Sequence, residues 1–287
     1  MSDEEIVVGY DGSPDAAAAL TWALAEAGRT GQPVRLAYVF EWLTVGGWIG
    51  PGIAPGAWPD AAARQQVEQL VQQAVTDAAT ANPGLTVHGE VFDGPPALVL
   101  QERSAEAALL VLGSRGHGGF TGLLTGSTAV SVTAHAHCPV VVVRRDTPTA
   151  TGKRVVVGVD GSETSLVALG FAVERAAGRN APLHAVRAWA PTQWRAQGFD
   201  PDEAQATEQA SLEESLRQWR ESFPDVPVTT EVLSGNAAST LVEASRDAQL
   251  VVIGTRGRGG LRGALLGSVS QQVLQHAHCP VAVIRQR

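Results

Sequence analysis

The chain has 287 residues, of which 44% are hydrophobic and 17% charged, and its formal net charge is −8. That length points to two domains, and that apolar share is enough for ordinary buried cores. An acidic balance argues against wrapping DNA or RNA, which needs clustered Lys and Arg, and two cysteines, Cys138 and Cys279, are too few for a secreted disulfide scaffold.

Strands are predicted in chain order at 6–9, 34–40, 86–92, 108–113 and 140–144. Several are unbroken Val, Leu and Ile runs, the pattern of strands covered on both faces. The first helix opens on Ser13-Pro14-Asp15, which reads as an N-cap, a proline at the first helical position and an acid in the first turn. It runs over 16–29 and stops at Gly31. Further helices are predicted over 60–81, 96–107 and 127–137. The opening MSDEEIVVGY has no basic segment and no long apolar one, and the longest apolar runs are strand-sized. The expectation is therefore a cytoplasmic protein with neither a membrane nor a nucleic-acid partner.

The pattern then recurs. Residues 6–13 read IVVGYDGS and 155–162 read VVVGVDGS, an offset of 149. Residues 109–126 read LLVLGSRGHGGFTGLLTG and 250–267 read LVVIGTRGRGGLRGALLG, while HAHCPV at 135–140 returns at 276–281, both offset by 141. Units this long are tandem domains and not solenoid repeats. We place them at 1–146 and 153–287, joined through the Thr, Pro and Gly-rich DTPTATGK. Strand–helix alternation with right-handed crossovers predicts that each is a doubly wound α/β domain.

In such sheets a ligand lies at the carboxyl ends of the strands, where the strand order reverses. With the order 3-2-1-4-5, Asp11 after the first strand and the glycine-rich loop after the fourth face one crevice, and so do Asp160 and its loop. The loop reads G-x-x-G, nine residues, then G-S: Gly113, Gly116, Gly126 and Ser127 in the first copy, Gly254, Gly257, Gly267 and Ser268 in the second. Glycines admit close backbone approach and positive φ. Successive N–H groups make an anion nest, and the closing Gly-Ser opens a helix whose N-terminus attracts phosphate. No Gly-Lys-Ser/Thr follows, and the spacing is not G-x-G-x-x-G, so neither a P-loop nor a Rossmann fingerprint is read. The plainer alternative is a flexible surface loop before a capped helix.

The VVGxDGS opening, the G-2x-G-9x-G-S loop and the HCPVVVV ending resemble the universal stress protein family in its tandem, ATP-binding form, over nearly the whole chain. The resemblance implies a five-stranded parallel sheet per domain in the order 3-2-1-4-5, ATP in the crevice with Mg²⁺ arriving on its phosphates, and at most weak hydrolysis. Carried over by position, Asp11 and Asp160 sit beside the adenosine, Val39 and Val186 line the adenine pocket, and Leu112 and Ile253 pack near adenine or ribose. The loop glycines, Ser127 and Ser268 hold ribose and phosphates. Thr128 and Val269 offer backbone N–H groups, Thr128 departing from the apolar choice. By the family order the last strands, 140–144 and 281–285, lie at sheet edges. A bare apolar edge invites pairing, so they are expected to pair antiparallel within the chain, as a pseudo-twofold; a homodimer and an unnamed downstream protein partner are also expected.

Other residues invite a reading. His135, His137 and Cys138, with His276, His278 and Cys279, bring metal to mind, but His at i and i+2 on a helix point apart. Dipole-favoured histidines at a helix end and small buried cysteines fit better. Arg115 and Arg256 reach either phosphate or a structural carboxylate. Residues 42–58, WLTVGGWIGPGIAPGAW, form either a lid or docking surface or a loop packed on its own domain; the second copy is shorter there, at 189–200. Three functions compete: a nucleotide-dependent sensor, a slow ATPase or adenylate-handling enzyme, and an interaction module with vestigial sites. The chain carries no SGG-type or HIGH-type catalytic signature, so no catalytic residue is assigned.

Overall fold

The computed structural model describes residues 5–41, 61–116, 125–146, 153–189, 200–258 and 266–286. The first half runs β1 (Glu5–Gly9), α1 (Pro14–Thr30), β2 (Val34–Phe40), α2 (Ala61–Ala81), β3 (Val87–Asp93), α3 (Pro96–Arg103), β4 (Ala107–Gly113), α4 (Ser127–His135) and β5 (Val140–Val143). The second runs β6 (Arg154–Gly158), α5 (Glu163–Ala177), β7 (Leu183–Trp189), α6 (Pro201–Ser222), β8 (Val228–Ser234), α7 (Ala237–Ala244), a 3-10 turn at Ser245–Asp247, β9 (Ala248–Gly254), α8 (Ser268–His276) and β10 (Val281–Ile284). Among the described residues no helix is long and apolar enough to cross a membrane.

The first crossover follows its local signals closely. The Ser13 hydroxyl accepts the Ala16 N–H, Pro14 sits at the helix start, and Gly31 closes α1 at φ 74 with its N–H on the Ala27 carbonyl. Ala16, Ala19, Ala23 and Ala27 repeat at helical spacing, and all are buried. Two helices are shorter than predicted. α3 stops at Arg103, because Ala107 is drawn into β4 opposite Glu5. The buried Ser104 hydroxyl in that gap accepts the His137 N–H. α4 stops at His135, where Ala136 turns extended (ψ 150) on the approach to Pro139.

Ten strands form one sheet in the order β3-β2-β1-β4-β5-β10-β9-β6-β7-β8. Each half is parallel and ordered 3-2-1-4-5, but the two are not separate sheets. β5 and β10 pair antiparallel, Val142 opposite Val281 and Val140 opposite Val283. The strands read as apolar edges therefore lie at the centre, and β3 and β8 are the true edges. Alternate residues of each inner strand feed two layers. Leu109 and Val111 of β4 join the layer that includes Leu20 of α1 and Leu212 of α6, whereas Leu110 and Leu112 join the layer of Leu100 of α3 and Leu274 of α8. Both layers run through both halves, and each fully buried Leu or Val contributes about 1.5–3 kcal/mol.

Polar contacts across the pseudo-twofold reinforce the seam. Arg144 donates to the Leu274 and Ala277 carbonyls at the end of α8, and Arg285 donates to the Ala134 carbonyl near the end of α4. Each half thus supplies a cation to the negative end of the other half's helix. Between α1 and α5 the Glu26 carboxylate, 1% exposed, meets Arg175 at 3.0 Å and Arg179 at 2.6 Å. Arg179 also lies over the Trp22 ring and Arg175 over Phe171. Glu26 and Arg175 occupy the same position in the two copies, as do Trp22 and Phe171. A contact that would set like against like in a symmetric pair here sets carboxylate against guanidinium.

Breaking a buried pair strands its partner, so Glu26→Ala is expected to cost about 3–5 kcal/mol. Removing the more exposed Arg29 costs less than about 1 kcal/mol. Chemical denaturation of both variants checks this; equal losses would contradict it. Val142→Pro with Val283→Pro strains the central ladder and should separate the halves, read as greater linker proteolysis and a larger hydrodynamic radius. Unchanged values would show that the sheet seam is dispensable.

Candidate functional site

The site begins where β1 ends. The chain leaves Gly9 and turns through Tyr10, Asp11 and Gly12 into α1, with Gly12 at φ 81; Gly161 repeats this at φ 81. The left-handed turn suits glycine, which has no Cβ to clash. It folds the carboxylate back, so that Asp11 Oδ1 accepts the Ser13 N–H at 2.9 Å. Asp160 Oδ1 accepts both the Ser162 N–H at 2.9 Å and the Ser162 hydroxyl at 2.6 Å. Asp160 Oδ2 accepts the Arg258 N–H at 2.8 Å. Burial pushes the Asp160 carboxyl up, but these donors outweigh it and hold it below the usual carboxylate range.

The glycine-rich loop crosses this turn. A Cβ on Gly116 would collide with Asp11 Oδ2, and one on Gly257 with Asp160 Oδ2. A Cβ on Gly113 would come within 2.7 Å of the Asp15 backbone, and one on Gly254 within 2.8 Å of Thr164 Oγ1. The loop's ends close on each other, Gly126 N–H to the Ser114 carbonyl at 2.7 Å and Gly267 N–H to the Thr255 carbonyl at 2.8 Å. Gly126 and Gly267, both at φ −70, are the N-caps of α4 and α8 and supply no side-chain acceptor to the first-turn N–H groups. The expectation of positive φ in the loop fails at these six glycines, whereas Gly12 and Gly161 of the preceding turn do take it. Gly113, Gly116, Gly254 and Gly257 are needed for space, whereas a Cβ on Gly126 or Gly267 would meet only ordinary contacts.

A cavity of about 380 Å³ opens here in the first half, at the carboxyl ends of the strands. Val39 and Leu112 line it from β2 and β4, Asp11, Gly113 and Gly116 from the crossing loops, and Gly126, Ser127 and Thr128 from the start of α4. The second cavity is about 430 Å³. Val186 and Ile253 line it from the strands, Asp160, Gly254 and Gly257 from the loops, and Gly267, Ser268 and Val269 from the start of α8. All sixteen positions chosen from the sequence line one or other cavity.

The two valines are not counterparts in the repeat. Gly9 pairs with Ala37, and Gly158 with Val186. The counterpart of Val186 is therefore Ala37, and that of Val39 is Ala188; all four line their cavities because alternate strand residues share a face. The helical lining went unread. Leu100 of α3 and Leu241 of α7, both buried, approach Gly9 and Gly158, where a Cβ would come 3.3 and 3.0 Å from them. The glycine before each Asp-Gly-Ser turn was the available sign of that close approach. Arg187, only 2% exposed and 2.5 Å from Glu208, also lines the second cavity and was missed.

Arg115 lines the first cavity, and its Nε lies 3.8 Å from the carboxylate of Asp15. Arg256 lines the second. His135 Nδ1 lies 2.8 Å from the Ser131 carbonyl oxygen of its own helix. Cys138 and Cys279 are buried, and burial pushes the Cys279 thiol up to about 12. Among the described residues no group of three or more His, Cys, Asp or Glu is placed to hold a metal. The tryptophan-rich stretch 42–58 and residues 190–199 of its shorter counterpart lie outside the described residues.

The sequence matches the model of the universal stress protein family twice, over residues 4–144 and 152–285. It is 38% identical over 286 residues to universal stress protein Rv2005c of Mycobacterium tuberculosis, covering 98% of this chain and 97% of that one. It is 35% identical over 288 residues to universal stress protein Rv2623 of the same organism, covering 98% and 96%. In three dimensions it resembles a universal stress protein from Archaeoglobus fulgidus, with a TM-score of 0.75 and 19% identity over the whole of both chains, a likeness of fold. With both halves matched, the chain belongs to the universal stress protein family.

Proposed function

We propose that each half binds an adenine nucleotide of the ATP type, and that the chain acts as a nucleotide-dependent sensor or regulator in the stress response. One observation carries the reading: in each half eight chosen positions, seven of them equivalent by the repeat, gather around matching cavities at the carboxyl ends of parallel strands. The cavities are of ligand-binding size. An apolar floor of Leu112, Leu100 and Val39, or Ile253, Leu241 and Val186, suits a base. Asp11 and Asp160 face the side where a ribose hydroxyl would lie. The loop amides and the uncapped first turns of α4 and α8 suit the phosphates, and Mg²⁺ would enter with them. The site residues are aimed at holding charge and shape, which favours a binding role over turnover.

Calorimetric titration with ATP is expected to give about two sites per chain. Gly116→Arg with Gly257→Arg drives a side chain into the carboxylate behind each loop and should abolish binding while circular dichroism stays native. Undiminished binding in that folded variant would move the ligand elsewhere. Steady ATP turnover lost in Asp11→Ala would replace this reading with the slow ATPase.

A further inference from the structure

The repeat invites the assumption that the two sites are equal, but their charged surroundings differ. We infer that the second half's site is the stronger anion site and that ATP fills it first, an inference that rests on the nucleotide reading above.

The difference begins at the second residue of the helix that follows the Asp-Gly-Ser turn. In the first half it is Asp15, 4% exposed. Its Oδ2 accepts the Ser114 hydroxyl at 2.6 Å and the Arg115 N–H at 3.1 Å. A buried carboxylate therefore sits directly behind the loop and holds the Arg115 amide. In the second half the same position is Thr164, whose hydroxyl donates to the Arg256 carbonyl at 2.5 Å. Threonine brings no charge and takes no loop N–H. The next position differs too. Ser165 accepts the Gly161 N–H at 3.1 Å, bracing the turn beside Asp160, where the first half has Ala16.

Lining charges point the same way. Among the described residues, Asp11, Glu41 and Arg115 surround the first cavity, with Asp15 behind it. Asp160 and Glu208 face three guanidinium groups, Arg187, Arg256 and Arg258, around the second. The balance is negative in one site and positive in the other. The Arg258 guanidinium packs onto Gly161 at the turn, which places this cation beside Asp160 at the cavity. In surroundings of intermediate dielectric a single charge at such range changes the affinity for a polyanion about tenfold.

Titration of the full chain with ATP in excess Mg²⁺ should resolve two classes of site about tenfold or more apart. Gly257→Arg should remove the tighter class and Gly116→Arg the weaker. Asp15→Thr should tighten the weaker class about tenfold. Asp15→Asn, which keeps an acceptor for Ser114 and Arg115 but removes the charge, should shift it the same way even where Asp15→Thr folds poorly. Two sites of equal affinity, or loss of the tighter class in Gly116→Arg, would overturn the inference and leave the nucleotide reading standing. No binding by the unsubstituted chain would remove that reading first, and the inference with it.

Discussion

Everything at the site depends on one steric constraint: the loop after the fourth strand lies so close to the turn after the first that only glycine fits between them. Asp11 against Gly116, and Asp160 against Gly257, are the points of contact. The closeness follows from topology. β1 and β4 are hydrogen-bonded neighbours in register, as are β6 and β9, so whatever follows their carboxyl ends must share one crevice. The carboxylate organises the turn through the Ser N–H groups, and the glycine lets the loop lie flat on it. The loop and the start of the helix after it then line the space that remains.

A second constraint joins the halves. The central β5–β10 ladder makes one sheet of two, and the two cavities open on opposite sides of its pseudo-twofold. Backbone pairing alone does not distinguish a first half from a second. The Glu26 cluster does. Two first halves placed this way would bury two carboxylates together, and two second halves would bury paired guanidiniums, each arrangement costly without compensation. Position 26 and position 175 have diverged to opposite charge, and this selects the unlike pairing. The same divergence between copies separates Asp15 from Thr164, so the repeat conserves backbone geometry while its electrostatics differ.

Much of this was legible because signals agreed across levels. Unbroken Val and Leu runs, the Ser13-Pro14 start and the Gly31 stop gave β1, α1 and β2, and the repeat allowed each reading to be checked twice. The loop was found because glycine spacing is a steric demand written directly into sequence. Other features were set by partners distant in the chain. Residues 104–107 have helical composition, yet Ala107 pairs with Glu5. Glu26 reads as the polar face of an amphipathic helix until α5 covers it. That Val186 is the counterpart of Ala37, and not of Val39, follows from the strand register at the constant offset of 149. Leu100 and Leu241 belong to helices far from either motif, and only the fold brings them beneath the strand glycines.

A crystal structure of the chain grown with ATP and Mg²⁺ tests the central claim most directly. The account predicts phosphate oxygens against the glycine-rich loops that follow β4 and β9 and against the first turns of α4 and α8, with the base over Leu112 and Ile253. Nucleotide lodged at another surface, with these two crevices holding solvent alone, would contradict it.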